Sequence, residues 1–79
     1  MRKIRWGILG AARVNERLMP AIVQSEFGEL VAIGSRRPGA AKECLKKNLP
    51  EYEDKVTCFN GLDQVIQHSK IDAIYIPLA

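Results

Sequence analysis

The stretch from Trp6 to Asn15, with the sequence WGILGAARVN, is the part of this chain best suited to bind an anion. A short apolar run ends at Gly10, and apolar residues at helical spacing begin shortly after it. A strand that turns sharply into a helix leaves the first N–H groups of the helix without partners, at the positive end of the helix dipole. An anionic group such as a phosphate can bind at that point.

The glycine spacing matches the dinucleotide-binding pattern G-x-G-x-x-G/A only in part. With Gly10 as the first glycine, the pattern falls on Gly10, Ala11, Ala12, Arg13, Val14 and Asn15. The first glycine of the pattern allows the tight turn, the second lets the backbone approach a pyrophosphate, and the third lets helix pack on strand. Ala12 is the smallest departure from glycine, and Asn15 is a larger one. Taken alone, the pattern leaves an ordinary strand-to-helix turn as an alternative.

A second group of polar residues follows the next apolar run. Enzymes that use NAD place Asp or Glu about twenty residues beyond the glycines, where it accepts from the ribose 2′-OH. This chain has Ser35, Arg36 and Arg37 there, after Gly34. A hydroxyl and two guanidinium groups suit a phosphate, which favours NADP over NAD. The alternatives are that both arginines are solvated turn residues, and that Gly34 either leaves room for a ribose or only relieves packing.

Apolar runs alternate with helical spacing along the whole chain. They predict strands over about residues 3–9, 29–35, 55–59 and 71–76, and helices over about 13–25, 40–48 and 60–68. This alternation indicates βαβ units, and hence an α/β fold with a doubly wound parallel sheet of strand order 3-2-1-4 and three helices. Ligands bind such sheets where the strand order reverses, here between the turn after the first strand and residues 77–79 after the fourth.

Helical spacing also predicts which side chains are buried. In the first helix the predicted inward residues are Val14, Leu18, Ala21, Ile22 and Ser25, and in the third they are Leu62, Val65 and Ile66. Pro20 lacks an N–H and is expected to kink the first helix or to begin a second helical piece. Gly28 is predicted to cap that helix at its C-terminal end.

Length and composition place limits on the class of protein. A chain of 79 residues forms at most one small domain, and 47% hydrophobic with 27% charged residues is typical of a soluble globular protein. The net charge of +3 is spread along the chain without a basic stripe, so we expect no nucleic-acid partner. No apolar run has the length of a secretory signal or a membrane span, which predicts a cytoplasmic protein. Cys44 and Cys58 lack metal-ligand spacing, so we expect no metal site.

Three segments resemble the N-terminal half-domain of the glucose-fructose oxidoreductase and inositol dehydrogenase (Gfo/Idh/MocA) family. They are WGILGAARV at 6–14, VAIGSR at 31–36 and DAIYIPLA at 72–79, and the resemblance covers essentially the whole chain. In that family the first turn holds the pyrophosphate, a Ser-Arg pair holds the 2′-phosphate, and the last segment lies near the cofactor ribose. These roles fall in turn on Gly10, Ala12, Arg13 and Val14, on Ser35 and Arg36, and on Pro77 and Leu78.

The resemblance implies that residues 1–79 are the N-terminal part of an NAD(P)-binding Rossmann domain. The complete protein would then be an oxidoreductase and a homo-oligomer, which uses NADP, or alternatively NAD, to move a hydride to or from a sugar-like or other hydroxyl-bearing substrate. The family's catalytic lysine, in a Glu-Lys-Pro segment, has no counterpart before Ala79, and neither does the substrate domain. We therefore predict no catalytic residue here and no activity for this part alone.

Two other classes of function fit the same pattern of elements. One is a stand-alone module that binds a nucleotide without catalysis. The other is a doubly wound enzyme such as a methyltransferase, with an adenosyl ligand in the same crevice. The paired arginines after the second strand argue against the methyltransferase, because S-adenosylmethionine carries no ribose phosphate.

Overall fold

The computed structural model describes residues 3–10 and 15–77, and within them strands and helices alternate along the chain. In chain order the elements are β1 (Ile4–Leu9), α1 (Asn15–Gln24), β2 (Gly28–Gly34), α2 (Ala40–Asn48), β3 (Thr57–Phe59), α3 (Asp63–Ile66) and β4 (Ala73–Tyr75). A short 3₁₀ helix, Pro50–Tyr52, follows α2. In this part of the chain, no helix has the length and apolar character needed to cross a membrane.

The four strands form one parallel sheet in the order β3-β2-β1-β4, which confirms the predicted topology. The pairing of β1 with β2 shifts by one residue: Trp6 lies opposite Leu30, but Gly7 lies opposite Ala32. Val31 is therefore the extra residue of a β-bulge. Successive side chains of a regular strand point to opposite faces, so without the bulge Leu30 and Ile33 would lie on opposite faces of the sheet. The bulge lets both join the same core.

Helices cover both faces of the sheet. On one face α1 and α2 pack on a core formed by Ile8, Met19, Ile22, Leu30, Ile33, Ala41, Leu45, Leu49 and Val56. On the other face lies α3, since a Cβ atom added to Gly7 would lie 2.8 Å from the Val65 side chain. A Cβ at Gly34 would lie 2.6 Å from Val65 and would overlap the Gly61 carbonyl oxygen. Gly34 is thus required by packing against the segment that leads into α3.

The predicted buried face of α1 is wrong in part. Asn15, Met19 and Ile22 are its buried residues, whereas Ala21 and Ser25 are exposed. Of the other predicted inward residues, Leu18 is half-buried and Val14 lies outside the described residues. The buried residues of α1 also recur at helical spacing. Because the first of them, Asn15, is polar, the pattern of apolar residues predicted a buried face rotated from the observed one.

Three further expectations are corrected by the structure. Pro20 does not begin a second helical piece, because α1 runs through it as one helix. Gly28 does not cap α1 but is the buried first residue of β2, where a Cβ would lie 2.8 Å from the Ile22 carbonyl oxygen. The third helix is shorter than predicted, with Val65 buried, Leu62 half-buried and Ile66 54% exposed. With one turn, α3 has only one position that faces the sheet.

Candidate functional site

The turn after β1 begins at Gly10, whose φ of +115° lies in the left-handed region. Glycine adopts this conformation without the steric cost that a Cβ brings. The Gly10 N–H donates to the Gly34 carbonyl oxygen at 2.7 Å, which ties the turn to the end of β2. A Cβ built on Gly10 would lie 3.7 Å from Pro77 Cγ, so the residue after β4 lies beside the turn. The structure therefore brings Gly10 and Pro77 together, at the carboxyl edge where the strand order reverses.

Asn15, the largest departure from the glycine pattern, is fully buried at the start of α1. Its Nδ2 donates to the Gly10 carbonyl oxygen at 3.1 Å and to Cys44 Sγ at 3.4 Å. Its Oδ1 is also buried and finds no hydrogen-bond donor among residues 3–10 and 15–77. The side chain thus closes the turn from inside the protein, a role that apolar periodicity could not reveal.

Ser35 organises the turn after β2 from within. It is 2% exposed, and its Oγ donates to the Arg37 carbonyl oxygen at 2.8 Å while it accepts from the Ala41 N–H at 3.1 Å. Its own N–H donates to the Phe59 carbonyl oxygen at 3.2 Å, at the end of β3. The hydroxyl therefore serves the chain itself, because it shapes the turn and satisfies an N–H in the first turn of α2.

Arg36 and Arg37 are exposed on that turn. Neither guanidinium group makes an ion pair or a hydrogen bond with another described residue, so both are available to a ligand. The turn ends at Gly39, whose φ is +80° and whose N–H donates to Asn60 Oδ1 at 2.9 Å. The backbone is thus fixed at both ends, and the two charged side chains project from a defined support.

Arg5 and Asp72 align β4 with β1, and sequence reasoning missed this pair. The Arg5 Nε and Nη2 donate to the two carboxylate oxygens of Asp72, each at 3.1 Å. The Arg5 N–H donates to Asp72 Oδ2 at 3.0 Å, and the Asp72 N–H donates to the Arg5 carbonyl oxygen at 2.8 Å. The side-chain hydrogen bond with Asp72 raises the pKa of Arg5. By fixing the start of β4, the pair helps to bring Pro77 beside Gly10. The signal available in the sequence was a basic and an acidic residue near the starts of two strands predicted to be neighbours.

Five of the predicted site residues lie outside the described residues: Ala11, Ala12, Arg13, Val14 and Leu78. Within the described ranges, no group of three or more His, Cys, Asp or Glu side chains could hold a metal ion. The two cysteines are separate half-buried thiols, and burial raises the pKa of Cys58. At the carboxyl edge, the Gly10 turn thus lies beside a turn whose two guanidinium groups make no ion pair among the described residues. Guanidinium groups of this kind suit a phosphate.

Comparison with known proteins identifies the class to which this fold and site belong. The model of an oxidoreductase family with an NAD-binding Rossmann fold (Gfo/Idh/MocA) matches residues 4–79. The chain belongs to this family, which confirms the resemblance found in the sequence. No significant match was found among curated proteins.

Two solved structures illustrate the likeness. KijD10, a 3-ketoreductase from Actinomadura kijaniata crystallised with NADP, is 28% identical with a TM-score of 0.81. The match covers 98% of this chain and 23% of KijD10. The WlbA dehydrogenase from Bordetella pertussis, in complex with NADH and UDP-GlcNAcA, is 26% identical with a TM-score of 0.76, over 98% of this chain and 22% of WlbA. This chain thus spans less than a quarter of the length of either protein.

Proposed function

We propose that this chain is the N-terminal part of the cofactor-binding domain of an NADP-dependent oxidoreductase. The complete enzyme transfers a hydride to or from a sugar-like or other hydroxyl-bearing carbon. The observation that carries the cofactor assignment is the pairing of two turns at one sheet edge. The Gly10 turn is bonded directly to the end of β2, and the next turn presents Arg36 and Arg37.

At each of the two phosphate positions assigned to NADP, a described feature supports the proposal. Gly10, with φ of +115°, supplies a backbone bend without a Cβ, and the pattern that it begins (Ala11, Ala12, Arg13 and Val14) is assigned to the pyrophosphate. Arg36 and Arg37 are assigned to the 2′-phosphate, which suits guanidinium groups that have no partner among residues 3–10 and 15–77. An Asp or Glu after β2 would repel this phosphate, and the chain has neither there.

The remaining assignments concern support and position. Ser35 is assigned to the 2′-phosphate site as the residue that shapes the turn, since its hydroxyl is bonded to Arg37 and Ala41. Pro77 lies beside Gly10 and, with Leu78, is assigned to the neighbourhood of the ribose. When NADP is bound, its nicotinamide ring supplies or accepts the hydride. The residues of this chain bind and orient the cofactor, and the groups that act on the substrate belong to a further part of the enzyme.

The sugar-like substrate and the enzymatic role are supported by the two solved structures. One is described as a 3-ketoreductase and the other as a dehydrogenase with a bound UDP-sugar derivative. A stand-alone nucleotide-binding module without catalysis is the competing proposal. Oxidation of NADPH by the full-length protein, tested across keto sugars and sugar nucleotides, distinguishes the two. Turnover of any of them supports the oxidoreductase, whereas tight NADPH binding with no turnover supports the module.

The cofactor assignment is tested by the dissociation constants of NADPH, NADH and S-adenosylmethionine for the full-length protein, measured by titration calorimetry. We expect tighter binding of NADPH than of NADH, because only NADPH carries the phosphate that Arg36 and Arg37 can bind. Equal affinities for the two dinucleotides would contradict the choice of NADP. Preferential binding of S-adenosylmethionine would contradict a dinucleotide site altogether.

A further inference from the structure

We propose that Asn15 is a positioning residue that holds the turn after β1 in the shape that binds the pyrophosphate. The proposal rests on the proposed function, since it assumes that a dinucleotide binds at this turn. Judged by the glycine pattern, Asn15 is a defect at the place of the third glycine. The structure gives its side chain a task that glycine could not perform.

The first step concerns the Gly10 peptide. Asn15 Nδ2 donates to the Gly10 carbonyl oxygen at 3.1 Å, and the Gly10 N–H donates to Gly34 at 2.7 Å. Hydrogen bonds therefore fix Gly10 on both its N–H and its carbonyl side. The Asn15 amide therefore holds the carbonyl of Gly10, the residue at which the turn begins.

The second step concerns the burial of this amide. Asn15 is 0% exposed and Gly10 is half-buried, so the hydrogen bond between them is partly shielded from water. Removal of the Asn15 donor costs the free energy of this bond and releases the Gly10 carbonyl from its present orientation. Asn15 Oδ1 is buried as well, and it has no hydrogen-bond donor among the described residues.

The third step anchors the amide to the rest of the fold. Asn15 Nδ2 also lies 3.4 Å from Cys44 Sγ on α2, and the Cys44 thiol lies 3.7 Å from Met19 Sδ on α1. Asn48 joins this cluster from α2, with its Nδ2 3.4 Å from Cys44 Sγ and 3.8 Å from Met19 Sδ. Asn48 makes no hydrogen bond to Gly10 in the described structure. The cluster therefore contains one amide that contacts the turn and one that does not.

That difference supplies a matched pair of variants. Leucine branches at Cγ as asparagine does but cannot donate a hydrogen bond. Asn15→Leu therefore removes the bond to Gly10, and Asn48→Leu disturbs the same cluster but leaves that bond in place. The ligands are NADPH, which has both phosphate positions, and 2′-AMP, which has the 2′-phosphate but no pyrophosphate. Dissociation constants are measured on the full-length protein by calorimetry, with thermal melting as the control for folding.

We expect Asn15→Leu to weaken NADPH binding about tenfold, as for the loss of one partly buried hydrogen bond, and to leave 2′-AMP binding unchanged. Asn48→Leu should leave both affinities unchanged. If Asn15→Leu does not fold, Asn15→Ala removes the same donor by truncation and should give the same selective loss.

Three results would overturn the proposal. Wild-type affinity for NADPH in the Asn15 variants would show that the bond does not shape the turn. Equal losses for NADPH and 2′-AMP, or equal losses in the Asn15 and Asn48 variants, would show a general structural role. A wild-type protein that binds neither ligand would contradict the proposed function itself, an outcome distinct from the first two.

Discussion

The hydroxyl group of Ser35 has one proton to donate, and in this structure it goes to the carbonyl oxygen of Arg37. A serine followed by arginine at the end of β2 predicted that both side chains contact the 2′-phosphate. The geometry instead favours a division of roles between them. Ser35 builds the turn from a buried position, and Arg36 and Arg37 extend from it into solvent.

Replacement of Arg36 by alanine tests the cofactor preference directly. Loss of a charge-assisted hydrogen bond costs about 1.5–3 kcal/mol, which is roughly a ten- to hundredfold loss of affinity for NADP. Binding of NAD should hardly change, because it has no 2′-phosphate. Arg37 is equally exposed, so we expect a larger loss when both arginines are replaced. Calorimetric titration of NADP and NAD into the wild-type, Arg36→Ala and double-alanine proteins measures these affinities. Equal losses for both cofactors would assign Arg36 a structural role instead.

Replacement of Gly10 tests the bend of the first turn. At φ of +115° any side chain is strained, at a cost of about 1–3 kcal/mol, and a β-branched one is strained most. Gly10→Val should therefore abolish most NADPH binding, while the fold survives at a lower melting temperature. Gly10→Ala is the matched control, because among the described residues its Cβ would meet Pro77 Cγ alone, at an ordinary contact distance of 3.7 Å, and it should retain more affinity. Unchanged affinity in a folded Gly10→Val protein would place the pyrophosphate elsewhere.

At the scale of elements, the sequence predicted the order β3-β2-β1-β4 and the bounds of α2 correctly, since apolar runs and turn residues mark both clearly. The prediction failed where the environment of a residue differs from the one that its side-chain type suggests. Asn15 is polar but buried, so the buried face of α1 predicted from apolar residues was rotated from the observed one. Gly28 allows close packing and does not cap a helix. The bond from Asn15 to Gly10 could not be predicted, because no periodic pattern specifies which polar side chain turns inward.

The Arg5–Asp72 pair gives a prediction about the joint between β1 and β4. Asp72→Ala removes two guanidinium bonds and the bond from the Arg5 N–H, so we expect a lower melting temperature for the full-length protein. Asp72→Asn should lower the melting temperature less than Asp72→Ala, because its amide oxygen can still accept a hydrogen bond from Arg5. Glu16→Ala is the control, since its pair with Lys47 joins side chains that are 50% and 71% exposed, and such pairs contribute little. Equal effects of Asp72→Ala and Glu16→Ala would show that the first pair does not align the strands.

At the scale of the whole molecule, the described residues form a four-stranded parallel sheet whose two edge strands, β3 and β4, each pair with one neighbour. Among them β4 pairs with β1 alone, and Ile74 and Ile76 on or next to β4 are 37% and 57% exposed. A sheet edge with apolar side chains can pair with another chain. The Gly10 turn and the turn after β2 lie at the carboxyl ends of the strands, so they do not coincide with the open edge of β4.

The open edge predicts how the 79-residue chain behaves when it is produced alone. Its unpaired backbone groups and exposed isoleucines should drive association, seen as a rise of apparent mass with concentration in light scattering or sedimentation. Ile76→Lys should reduce this association, because a charged side chain at an edge strand opposes pairing. The matched control is Phe27→Lys, which adds the same charge at an apolar residue that is 50% exposed but precedes β2, away from the edge. Equal suppression by both variants would assign the effect to net charge, and a monomeric wild-type chain with a cooperative melting transition would show that the β4 edge needs no further cover.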